Sequence, residues 1–132
     1  KVGAVDDMTT ATLIQQFYDL GVYPDWWKLE PFKSAAAWQN AVDAIERNDP
    51  YTRGIVVLGL DAPEAELAAS FAMAAKQPLV KGFAVGRTIF GDAARAWMAG
   101  DIGDAEAIDM MRGRYQRLCE IWDQARAAAQ AN

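Results

Sequence analysis

Apolar positions along the chain follow two alternating patterns, one with the three-to-four-residue spacing of helices and one of short β-branched runs. Lys1 to Asp7 has no clear period and reads as a loop or arm. Leu13, Ile14, Phe17 and Leu20 then mark one face of a first helix, capped by Thr9 or Thr10 and ended by Gly21. Tyr23-Pro24 turns the chain into an extended stretch, Asp25-Trp26-Trp27-Lys28-Leu29-Glu30, and Pro31 stops it from continuing as an interior strand. Ser34 is placed to cap a second helix over about 35–47, with Trp38, Val42 and Ile45 as its buried stripe. Asn48-Asp49-Pro50 breaks that helix.

The run from Arg53 to Leu60 is apolar on both faces and β-branched, the pattern of a parallel strand covered on both sides. Asp61-Ala62-Pro63-Glu64 opens a third helix with a capping aspartate and a first-turn proline. It is expected to reach about Lys76, with Leu67, Phe71 and Ala74 or Ala75 inward. A third strand follows over about Val80 to Val85, then a short helix over about 91–99, closed by Gly100. A long last helix, about 105–128, carries Ile108, Met111, Tyr115, Leu118, Trp122 and Ala125 at coiled-coil-like spacings. Its expected role is a terminal helix packed on a sheet or barrel. Trp38, Trp97 and Trp122 are assigned to the core, Trp27 to a position under a helix, and Met110 and Met111 to filling gaps.

Helices alternating with strands predict an α/β fold: a parallel sheet with covering helices as its crossovers. Three strands would leave two exposed edges, so residues 1–132 read as a single partial domain. Composition sharpens this. The chain is 52% hydrophobic with a net charge of -5, which gives no general affinity for nucleic acid or an anionic membrane. No apolar run is long enough to span a bilayer, and no signal peptide is visible. With no histidine and one cysteine, Cys119, a zinc site, a histidine triad and an internal disulfide are not expected, and a cytoplasmic location is.

Candidate chemistry gathers at the strand ends. Alternation along the first strand sends Trp26, Lys28 and Glu30 to one face and Trp27 and Leu29 to the other. A partly desolvated amine beside a carboxylate is suited to nucleophilic or Schiff-base chemistry. The second strand ends in Gly59-Leu60-Asp61 and the third in Gly86-Arg87-Thr88. Glycines let a backbone approach a phosphate closely, and Arg87 adds a charged fork. In parallel α/β folds, sites collect at the carboxyl ends of strands. The structural alternatives are a salt-bridged lysine on a half-exposed strand, and glycines that serve only as turn residues.

The strand with Lys28-Leu29-Glu30, the strand ending at Gly59 and the strand with Gly86-Arg87 resemble the last three strands of class I tagatose-1,6-bisphosphate aldolases. The closer resemblance runs over nearly the whole chain, in Pro24-Asp25-Trp26-Trp27-Lys28-Leu29-Glu30, Leu58-Gly59-Leu60-Asp61-Ala62-Pro63 and Lys81-Gly82-Phe83-Ala84-Val85-Gly86-Arg87-Thr88-Ile89-Phe90, and is to the aldolase-like domain behind the sugar kinase in fused bacterial 5-dehydro-2-deoxygluconokinases of myo-inositol catabolism. It implies the C-terminal part, about three βα units, of a TIM (β/α)8 barrel. It implies Lys28 as the Schiff-base lysine, with Glu30 to orient the amine or shuttle a proton, and Gly59, Gly86 and Arg87 as the phosphate site. The implied substrate is 2-deoxy-5-keto-gluconate 6-phosphate, cleaved to dihydroxyacetone phosphate and malonate semialdehyde without metal or other cofactor. It further implies an upstream kinase domain, and a second catalytic carboxylate in strands that this chain lacks. The piece alone is therefore expected to be inactive, and its open sheet edges and unfilled apolar face predict that it self-associates. The competing expectations are a non-catalytic sugar-phosphate-binding domain that regulates the kinase, and a structural module.

Overall fold

A computed structural model describes residues 4–59 and 63–131. Three four-residue strands, β1 (Trp26–Leu29), β2 (Gly54–Val57) and β3 (Val80–Phe83), form a parallel sheet in the order β1-β2-β3. Lys28 stands opposite Val56, and Val56 opposite Gly82, with a register shift between Ile55 and Val56 where β2 meets β3. The helices are α1 (Thr9–Asp19), α2 (Ala35–Asn48), α3 (Glu64–Ala74), α4 (Arg87–Ala99) and α5 (Asp104–Gln130). α1 packs on α2, and α5 packs on both α3 and α4. This is the expected α/β order of parallel strands and covering helices.

All the close packing lies on one side of the sheet. Trp27 and Leu29 of β1, Ile55 and Val57 of β2 and Val80 of β3 are buried with Ile14, Tyr18, Trp38, Ile45, Leu67, Phe71, Leu118 and Trp122 from the helices. The other side is uncovered among the described residues. Trp26 and Lys28 are exposed there, and Val56 and Leu58 are only half-buried. The expectation that β2 is covered on both faces therefore fails: its apolar second face has no element over it among the described residues.

Local chemistry explains most boundaries. The Ser34 hydroxyl accepts the Ala37 N–H at 3.0 Å and caps α2 as expected. For α1 the cap differs. The Asp6 carboxylate accepts from the Met8 N–H and the Thr9 hydroxyl, both at 2.9 Å, and Thr9 already lies within the helix. Those hydrogen bonds hold the Asp6 carboxyl below its ordinary range. Gly54 has φ +131°, a region side chains rarely adopt, and a Cβ there would stand 2.5 Å from the Leu79 carbonyl oxygen. Only glycine lets β2 begin so close to the turn before β3. Asp61, expected to cap α3, lies outside the described residues.

Several assignments by helical spacing change. α1 buries Ala11, Ile14 and Tyr18, while Leu13, Phe17 and Leu20 are exposed. The contact that sets this rotation is the Trp27 indole N–H, which donates to the Tyr18 hydroxyl at 3.0 Å beneath β1. In α5 only the second half of the apolar seam is buried, at Leu118 and Trp122, and Ile108 and Tyr115 are exposed. Trp97 is not in the core: it is half-exposed, and its indole N–H donates to Asp104 at 2.7 Å. α4 begins at Arg87, earlier than the expected 91, so Gly86 is its N-cap.

Candidate functional site

The ends of the three strands are held level by backbone bonds. The Leu58 N–H donates to the Leu29 carbonyl at 2.9 Å, and the Ala84 N–H to the Val57 carbonyl at 2.8 Å. Beyond these bonds lies a groove of about 320 Å³, lined by Lys28, Leu58, Gly59, Val85, Gly86 and Arg87, among others. Four of the five residues singled out in the sequence, Lys28, Gly59, Gly86 and Arg87, thus meet in one concavity. The fifth, Glu30, lines the adjoining groove of about 770 Å³ beside Pro31 and Asp6. Lys28 lines both, so it stands on the ridge between them.

Two expectations about the amine are corrected. Lys28 is exposed rather than partly desolvated, because among the described residues no element covers that face of the sheet. Lys28 and Glu30 also form no ion pair among the described residues, and Glu30 lies just beyond the end of β1. The salt-bridged structural reading of Lys28 is therefore not what the fold shows.

The two glycines differ in their local cause. A Cβ on Gly59 would stand 2.4 Å from Val85 Cγ1 and 3.3 Å from the Thr88 hydroxyl. The chain itself thus fills the space beside this buried residue, which is a structural reason for glycine at 59. Gly86 is exposed, and its carbonyl accepts the N–H groups of Ile89 and Phe90 at 2.8 and 3.1 Å. The N–H groups of Arg87 and Thr88, in the first turn of α4, have no acceptor within the helix. No acidic side chain occupies that first turn, whereas α3 carries Glu64 and Glu66 in its own. The open N–H groups and the helix dipole make the start of α4 favourable to an anion. The exposed Arg87 side chain makes no ion pair among the described residues, so its charge is available there.

Over residues 1–126 the sequence matches the family described as Uncharacterized protein conserved in bacteria (DUF2090). The chain belongs to that family. No curated protein and no solved structure matches it. In this DUF2090 chain, then, one groove presents an amine at one strand end and a cation with helix N–H groups at another. Such a groove is equipped to hold an anionic group while an amine faces the rest of the ligand. Among the described residues no group of three His, Cys, Asp or Glu side chains is placed to hold a metal ion. None of the described helices is long and apolar enough to cross a membrane.

Arg87 also lines a second cavity, of about 500 Å³, between α3, α4 and α5. Arg112, Arg114 and Arg117 follow closely on one another in α5, and the last two line this cavity. Arg114 bonds Asp92 of α4, which also takes Arg95, and Arg117 bonds Glu64 of α3 at 3.0 Å. Arg114 first, then Arg95, holds the Asp92 carboxyl below its ordinary range, and Glu64 pushes the Arg117 guanidinium further up.

Proposed function

We propose that this chain is the closing part of a TIM barrel that cleaves a sugar phosphate through a Schiff base on Lys28. The supporting observation is the single groove shared by Lys28, Gly86 and Arg87. The Lys28 amine attacks the substrate ketone, and loss of water gives an iminium. The electron pair of the neighbouring carbon–carbon bond then moves into the iminium, leaving an enamine, while the hydroxyl proton of the departing aldehyde passes to a base. Protonation of the enamine and addition of water release the ketone product and restore the amine. Glu30 handles protons from the adjoining groove, and Arg87 with the first turn of α4 holds the phosphate. The missing barrel strands cover the open face and remove water from Lys28. The substrate class is that of 5-dehydro-2-deoxyphosphogluconate, in a cytoplasmic protein with a sugar-kinase domain upstream.

The test is borohydride reduction of the natural full-length protein with dihydroxyacetone phosphate, followed by peptide mass spectrometry. The expected result is an adduct on Lys28 that is absent in Lys28→Ala. An unmodified Lys28, or full aldolase activity in Lys28→Ala, overturns the reading.

The exposure of Lys28 favours a second reading, a non-catalytic sugar-phosphate-binding domain that regulates the attached kinase. Saturable phosphate binding by the full-length protein, with no turnover of any ketose phosphate, selects it. Under either reading the uncovered sheet and the exposed side of α1 favour association with another copy.

A further inference from the structure

We infer that the cavity between α3, α4 and α5 is a second ligand site, distinct from the Lys28 groove, for a small organic anion: a phosphate or carboxylate joined to an apolar body. Three guanidiniums line it, those of Arg87, Arg114 and Arg117, against two carboxylates, Glu64 and Asp92. That leaves an excess of one positive charge on a chain whose net charge is -5. Each carboxylate is already engaged, Asp92 by Arg114 and Arg95, and Glu64 by Arg117. Arg117 also pairs with Glu120 at 3.6 Å, but a guanidinium carries five N–H donors, so both α5 arginines keep donors to spare, and Arg87 has no ion pair among the described residues. Two buried side chains that also line the cavity, Leu67 and Leu118, supply apolar surface.

Gly113 adds open volume at the exposed rim of the same cavity. It lies inside the 27-residue helix α5, where glycine is markedly less favourable than alanine. A packing constraint would excuse it, yet Gly113 is exposed and, among the described residues, no neighbouring atom lies within 4 Å of a Cβ built there. Gly113 lines the same cavity, between Arg112 and Arg114 and one turn before Arg117. A side chain at 113 would occupy volume beside the guanidiniums, and its omission at a cost to the helix fits a ligand that uses that volume. The opening thus has cationic donors at its rim, apolar surface within and a helix position left bare between them. Arg87 reaches both this cavity and the Lys28 groove, so the two are neighbours.

The test is a proton–nitrogen NMR titration of the whole chain with phenyl phosphate, benzoate and inorganic phosphate. Saturable shifts at Gly113, Arg114 and Arg117 are expected with phenyl phosphate or benzoate, and inorganic phosphate should bind about tenfold or more weakly. Gly113→Leu should raise helix stability and yet cost about tenfold or more in affinity. Arg117→Gln should weaken binding likewise and keeps the test decisive if the leucine variant fails to fold. Lys28→Ala should leave this binding unchanged, which separates it from the Schiff-base reading. Absence of saturable shifts with all three probes, wild-type affinity in Gly113→Leu or Arg117→Gln, or equal affinity for inorganic and phenyl phosphate overturns the inference.

Discussion

A methyl group added at Gly59 would stand 2.4 Å from Val85 Cγ1, closer than two non-bonded carbons approach. Val85 is β-branched and short, so it has little room to swing aside. Gly59→Ala is therefore expected to force apart the segments that follow β2 and β3, at a cost of about 1–3 kcal/mol. Urea denaturation measures it. An unchanged midpoint would mean that these segments can separate freely.

Lys28 should behave in the opposite way. It is exposed and has no ion pair among the described residues. Lys28→Ala is expected to change stability by no more than about 0.5 kcal/mol. The same variant should lose all borohydride-trapped adduct. A large loss of stability would instead assign the lysine a structural role.

Beneath β1, the Tyr18 hydroxyl accepts the Trp27 indole N–H at 3.0 Å, with both residues buried. Tyr18→Phe keeps the ring but leaves that N–H without its acceptor. The expected cost is about 1–3 kcal/mol, read by denaturation, with a shift in tryptophan emission as the indole environment changes. A neutral effect would mean that water reaches the indole.

The Asp92 carboxyl gives a pH prediction. Arg114, and then Arg95, holds it below its ordinary value of 3.8 in the folded chain. A carboxyl lowered by folding contributes stability above its unfolded value, and the contribution is lost as pH falls through the folded value. Asp92→Asn should thus lower the thermal midpoint at neutral pH, with the difference closing below about pH 3.8. A difference that persists at low pH would mean that charge is not its source.

Leu13 and Phe17 lie on the exposed side of α1, next to the free edge of β1. The chain at high concentration is expected to self-associate, and Leu13→Glu should weaken that association. Sedimentation analysis decides. A folded wild-type monomer at all concentrations counts against it.

The elements were legible because their signals are local. Ser34 caps α2 through a hydrogen bond within a single turn, and Trp38, Val42 and Ile45 fall on one stripe of one helix. The meeting of Lys28 with Gly86 and Arg87 was also legible, since parallel strands carry their ends to one side of a sheet. Less was legible where two faces compete. Leu13, Phe17 and Leu20 form as good an apolar stripe as Ala11, Ile14 and Tyr18, and nothing within α1 chooses between them. Trp97 looked like a core residue by spacing, but its partner Asp104 lies on the next helix.

The sequence by itself determined the order of helices and strands, the parallel sheet and the side of β1 on which Lys28 stands, because periodicity and capping act over a few residues. Only the tertiary structure decided that this side is left bare, that Glu30 opens into a different groove from Arg87, and that Gly113 borders a cavity. Exposure and shared cavities depend on which surfaces meet across long stretches of chain. That is a property of the assembled packing, and no local pattern carries it.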